Sequence, residues 1–172
     1  VQSLNEDTPS QLTDAAGLRF ADGCVDTKRN RIICVVEDHR AEGESANYLG
    51  SVDLQSGEVA VLTRGHDFYS SPTVSPNGDQ IAFMSWNHPD MPWDETIIWT
   101  SNLNENGLLS EPIQVAGGKK GTQKISAQQP IFSPSGELFF ITDESGWWNI
   151  YRQGKKESVC PMEAEFGGPH WV

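Results

Sequence analysis

Basic residues are scarce in this chain. Lys and Arg number 12 against 24 Asp and Glu, for a formal net charge of −12 and a pI near 4.6. Nucleic acid and acidic membranes suit such a chain poorly, because a phosphate backbone is held by clustered cations that release its counterions. Cysteine is nearly missing as well. Cys24, Cys34 and Cys160 form an odd, scattered set without a C-x-x-C pair, which argues against a zinc site and favours a reducing, cytoplasmic setting. No apolar run approaches the length of a membrane span, and no signal peptide is visible. Catalytic signatures are absent too: the chain has no G-x-S-x-G elbow, H-E-x-x-H, Walker A loop, dinucleotide glycine motif or EF-hand loop. The sequence therefore points to no cofactor, no metal and no catalytic residue of its own.

What the chain does have is a repeated phrase. Tyr69-Ser-Ser-Pro-Thr-Val-Ser-Pro-Asn-Gly-Asp-Gln-Ile-Ala-Phe83 returns as Gln128-Gln-Pro-Ile-Phe-Ser-Pro-Ser-Gly-Glu-Leu-Phe-Phe140. A worn copy, Phe20-Ala-Asp-Gly-Cys-Val-Asp-Thr-Lys-Arg-Asn-Arg-Ile-Ile-Cys34, precedes both, and Gly168-Pro-His-Trp-Val172 opens a fourth. The anchors Gly23, Pro72, Pro130 and Pro169 recur at intervals of roughly 40 to 60 residues, the size of one blade of a β-propeller. Within each copy the apolar runs are short and bounded by Pro, Gly, Asn and Asp, which is strand punctuation, and no segment reads as a helix.

The middle copy predicts strands at 72–75, 81–86, 97–103 and 111–116, with Pro76-Asn-Gly-Asp79 as a tight hairpin and Pro112 in an edge strand. The first predicts 32–37, 48–54 and 59–63, and the third 138–143, 149–152 and 157–160. Residues 1–17 read as the outer strands of a preceding blade, because Gln11-Leu-Thr13 echoes Val61-Leu-Thr63. Residues 18–65, 66–117 and 118–162 read as blades, and 163–172 as the first strand of another. The expected fold is all-β, a partial propeller of about three and a half four-stranded antiparallel blades. A closed ring of four to eight blades needs more repeats than these.

Propeller topology sorts the connections onto two faces. One carries only short hairpins. The other carries the longer segments 38–47, 65–71, 87–96, 117–129, 144–148 and 161–168, where binding residues are expected to concentrate. Its candidates are Glu37, Asp38 and His39; His88, Asp90 and Trp93; Trp147 and Trp148; and Glu163 and Glu165. Carboxylates beside aromatic rings suit an ammonium or guanidinium ligand through charge-assisted hydrogen bonds and cation–π contact. Equally, acids keep a surface soluble while tryptophans pack between blades. Pro89 and Pro92 stiffen the 86–93 loop, either as a plug over a blade seam or as a ligand contact. His66-Asp67 reads as a structural hydrogen-bond pair, since no nucleophile accompanies it.

The segments 31–39, Gly65-His-Asp-Phe-Tyr-Ser-Ser-Pro72, Ser85-Trp-Asn-His-Pro-Asp-Met-Pro-Trp-Asp94 and Cys160-Pro-Met-Glu-Ala-Glu-Phe-Gly-Gly-Pro169 resemble the N-terminal propeller of the prolyl oligopeptidase family of serine peptidases, in its dipeptidyl- and acylaminoacyl-peptidase branch. The Ser-Pro-x-Gly repeats alone are shared with TolB-like and WD40-like propellers. The resemblance implies a C-terminal α/β-hydrolase domain bearing a Ser, Asp and His triad as partner, with the propeller restricting access to short peptides and orienting them. No triad residue maps onto this sequence. A second reading is a non-enzymatic TolB-like propeller that binds a protein or peptide. Exposed blade edges also suggest a homodimer in which the ends of two copies complete one another.

Overall fold

The computed structural model describes residues 9–168. Among the described residues, twelve strands form three antiparallel sheets. The first holds β1 (Leu18–Asp26), β2 (Arg31–Asp38), β3 (Ala46–Asp53) and β4 (Val59–Thr63) in sequence order. The second holds β5 (Phe68–Val74), β6 (Gln80–Trp86), β7 (Ile97–Asn102), β8 (Ile113–Lys120) and β9 (Gln123–Ile125). The third holds β10 (Ala127–Phe132), β11 (Leu138–Thr142) and β12 (Asn149–Arg152). The fold is that of blades in a partial propeller, and one turn of 3-10 helix, Thr27–Arg29, interrupts the strands.

Side chains alternate across each strand, so every blade offers one face to each neighbour. Ile33 and Val35 of β2 meet Tyr69, Ile81 and Phe83 of the second blade in one buried cluster. Ala82 and Met84, one residue out of step, meet Ala127, Leu138 and Phe140 of the third. Cys34 and Val36 turn to the opposite side of the first blade. Each large side chain buried this way is worth about 1.5–3 kcal/mol, so the seams are where the blades are held.

The repeated anchors mark bulges. Register slips between Ala21 and Cys24, between Ser70 and Thr73, and between Gln128 and Ile131. Asp22, Ser71 and Gln129, the residues before Gly23, Pro72 and Pro130, all have φ near +50° (49, 52 and 53°). A proline fits there because the ladder is already interrupted and no pairing N–H is lost. The Asp22 carboxylate accepts hydrogen bonds from the Ser70 hydroxyl and the Ser71 N–H, tying one bulge to the next. After each bulge the turns match. Gly78 N–H donates to Ser75 O at 2.8 Å and Gly136 N–H to Ser133 O at 2.9 Å, while the Ser75 and Ser133 hydroxyls accept from Gln80 and Glu137 N–H.

Several boundaries differ from those the sequence suggests. Pro112 precedes its strand instead of lying in it, and β8 runs to Lys120 before turning back as β9. Residues 118–125 thus belong to the second sheet and not to a loop before the third. Residues 157–160 form no fourth strand. Only Val159 N–H reaches Ile150 O (2.8 Å), and the buried Asn149 side chain draws the chain off the ladder by bonding Met162 N–H and the carbonyls of Met162 and Ala164. Gln11 to Thr13 form no strand either, because Leu12 instead packs on the open face of the first blade. Residues 163–168 are irregular, and both the 1–8 part of the expected half-blade and the strand expected at 169–172 lie outside the described residues.

Candidate functional face

The connections β2–β3, β4–β5, β6–β7 and β11–β12 emerge on one side, and the 87–96 loop spans it. His88 N–H donates to the Asp67 carboxylate at 2.9 Å, and Asp67 N–H donates to Asn87 Oδ1 at 2.8 Å. His88 Nε2 lies 3.1 Å from Glu44 of the first blade, with its ring edge-on to Phe68. At the far side of the loop, Pro92 O accepts from the Ser126 hydroxyl (2.8 Å) and Gln128 Nε2 (2.7 Å) of the third blade. The loop therefore straps three blades together, and its prolines hold it in that shape.

Beneath it lies a cavity of about 250 Å³ lined by His66, Asn87, His88, Asp90, Glu95, Lys119 and Lys124. Glu95 Oε2 is buried, has no hydrogen-bond donor among the described residues, and sits 3.9 Å from Lys119 Nζ. Asp90 pairs with Lys124. His66 stands at the back, with Nδ1 3.2 Å from the Asn87 amide and its ring against Tyr69 and Trp99. Burial lowers its pKa, against smaller opposing contributions from Asn87 and Asp67. Ser85 also lines the cavity, but its hydroxyl accepts the indole N–H of Trp99 at 2.8 Å. The cavity brings acids and lysines together, and among the described residues no nucleophile stands beside a base in it. Cys24 and Cys34 add none, since both thiols are pushed up to about 11, chiefly by burial.

Of the residues singled out from sequence, His88 and Asp90 meet in this cavity. Trp147 and Glu163 share a second, shallower depression of about 330 Å³ with Met162. Glu165 stands next to it and accepts Trp148 N–H at 2.6 Å. Nearby Asp143 has its pKa raised, first by burial. Trp93 lies on the 87–96 loop, 42% exposed. Glu37, Asp38 and His39 line neither space. Glu37 and His39 pair at 3.0 Å, and Asp38 is bidentate to Arg40, whose hydrogen bonds hold the carboxyl well below its usual range. Glu95, Lys119 and Lys124 escaped the sequence selection. The visible signal was three lysines in Gly117-Gly-Lys-Lys-Gly-Thr-Gln-Lys124 of a lysine-poor chain.

Among the described residues no group of three or more His, Cys, Asp or Glu side chains could hold a metal ion, and no helix is long and apolar enough to cross a membrane. No protein-family profile and no curated protein matches the chain. Solved structures do. A puromycin hydrolase is 31% identical over 96% of this chain, with a TM-score of 0.84, and a Mycobacterium tuberculosis puromycin-hydrolyzing peptidase is 34% identical over 91%, with a TM-score of 0.78. The chain covers 27% and 25% of those two proteins. A calcium-binding regucalcin from Agrobacterium tumefaciens shares the fold alone, at 16% identity and a TM-score of 0.55 over 88% of the chain. With its bulged repeats and strapped loop face, the chain belongs to the β-propeller of the prolyl oligopeptidase family of serine peptidases.

Proposed function

We propose that this propeller gates and orients short peptide substrates for a serine exopeptidase of the dipeptidyl- or acylaminoacyl-peptidase kind, in the cytoplasm. The bond-breaking Ser, Asp and His would come from an α/β-hydrolase domain outside these 172 residues. The observation that carries this reading is the 31–34% identity to two puromycin-hydrolysing enzymes over nine-tenths of the chain. The loop face supports it physically. It offers acids, histidines and tryptophans around two concave spaces. A propeller of this kind contributes selection by size and charge, not reaction.

The test is an assay of the whole natural gene product on puromycin and on aminoacyl and dipeptidyl chromogenic amides, before and after a serine-directed phosphonate. The expected result is hydrolysis abolished by the phosphonate, with no turnover by residues 1–172 alone. Turnover by the 172-residue chain, or activity that survives the phosphonate, would sink the reading. A gene product with no amidase activity at all would favour a non-enzymatic peptide-binding propeller.

A further inference from the structure

Lys119, Lys120 and Lys124 crowd one short ribbon in a chain that has only 12 Lys and Arg. The ribbon is the end of β8 folded back on β9, with Gly118 opposite Ile125, Lys119 opposite Lys124 and Lys120 opposite Gln123. Among the described residues it has no third strand. β7 follows β8 only as far as the pair Ile97 and Gly117, and beyond Thr96 the ladder continues between β8 and β9 alone. A two-stranded ribbon is marginal in water unless something holds it down.

Its root and its tip are held by different means. At the root, Ile125 is buried, Gly118 N–H donates to Thr96 O at 2.9 Å, and Thr96 N–H donates to Ile125 O at 3.3 Å. Gly117 and Gly118 both sit at positive φ (78 and 77°), and a Cβ at 117 would lie 1.9 Å from Thr96 O. Two successive glycines at the point where the third strand ends make a natural pivot. The tip is held by charge. Lys120 pairs with Glu144 from the third blade, Lys124 pairs with Asp90, and Lys119 stands 3.9 Å from Glu95, the last two acids coming from the 87–96 loop. The three lysine side chains are 43–62% exposed, where such pairs are weak singly and screened by salt. Lys119 and Lys124 also form one wall of the cavity that holds Glu95 and His66.

The geometry points to residues 119–124 as a latch over this cavity, hinged at the Gly117, Gly118 and Ile125 root and kept shut by three lysine–carboxylate pairs to two blades. Screening those pairs swings the tip away and exposes the wall behind it, so ionic strength controls entry. This inference concerns the motion of the ribbon and stands apart from the peptidase reading.

Hydrogen–deuterium exchange of the full chain, read by mass spectrometry between 0.05 and 1 M NaCl, tests it. The expected result is exchange at 119–124 accelerating at least about fivefold with salt while β6 and β7 stay protected. Labelling of His66 by diethyl pyrocarbonate should rise in parallel. The double variant Lys120→Gln, Lys124→Gln should show the fast exchange already at low salt. If it folds poorly, the wild-type salt series decides alone. Exchange at 119–124 that ignores salt overturns the latch. So does acceleration that spreads equally into β6 and β7, because the opening unit would then be the blade, or ribbon exchange that rises with no change at His66.

Discussion

The two ends of the blades are fastened differently. At the loop end, the long and chemically varied side, the charges that join one blade to the next are exposed ones, such as Glu44 with His88 and Lys120 with Glu144. At the hairpin end, one exposed pair, Lys28 with Asp79, also joins the first two blades, but it is backed by buried charges. Asp26 is fully buried and accepts Arg31 Nε at 2.9 Å and Arg29 at 3.2 Å. The two guanidiniums then cross to the second blade. Arg29 donates to Gly78 O and Asn104 O, both at 2.8 Å, and Arg31 donates to Gly107 O at 2.9 Å. The hairpin end thus adds a buried charge network to its exposed pair, while the charges that join blades at the loop end are exposed. That division suits a scaffold with one working face.

The largest test of this contrast is Asp26→Ala. It leaves two mostly buried guanidiniums without their carboxylate, a loss of about 3–5 kcal/mol. Thermal unfolding should fall by roughly 10 °C for a chain of this size. A drop no larger than that from an exposed ion pair would erase the distinction between the ends. A smaller effect is expected from Thr96→Val, at the seam between the second and third blades. The Thr96 hydroxyl donates to Ala127 O at 2.6 Å and accepts Ala127 N–H at 2.7 Å, with both residues fully buried. Valine keeps the shape and orphans both backbone groups, at a cost of about 1–3 kcal/mol. Chemical denaturation should show a lower midpoint with an unchanged slope. If Thr96→Val costs more than Asp26→Ala, the loop end is the firmer one and the comparison reverses.

Much of this arrangement was legible from residue order, though not the reason for it. Pro72 and Pro130 announced the repeat, because a residue type tied to one backbone state recurs wherever that state recurs. That the state is a bulge with a positive-φ residue before it could not be seen, since Asp22, Ser71 and Gln129 share no side-chain type. The first copy looked merely worn. Its departures from Ser-Pro-x-Gly are the Asp26, Arg29 and Arg31 network, whose acceptors at Gly78, Asn104 and Gly107 lie far along the chain and become visible only in three dimensions. On the loop face, residue type singles out His88 and Asp90 as candidates but not Glu95, because one more acid in an acidic chain carries no signal until its Oε2 is found buried without a donor. The lysine ribbon reads as a loop for a related reason. Gly-Gly punctuates like a loop, and only the pairing of Lys119 with Lys124 shows that the strand continues past it.

The smallest expected effect asks whether the loop end is soft even where it is half-buried. His66 stands at the back of the cavity and its folded pKa lies below the ordinary 6.5, chiefly because burial disfavours the imidazolium. Between the folded value and 6.5 the unfolded chain therefore binds more protons than the folded one, so stability rises with pH across that window and is lost as pH falls through it. Below the folded value His66 is charged in both states and adds no further slope. Wild type should lose more denaturant resistance than His66→Phe between pH 7 and pH 5, and the His66 ring should titrate by NMR with a midpoint under 6.5. An identical pH slope in the two proteins would mean that the cavity opens readily enough to solvate the ring. The loop end would then be more pliant than its hydrogen bonds to Asn87 and Asp67 suggest.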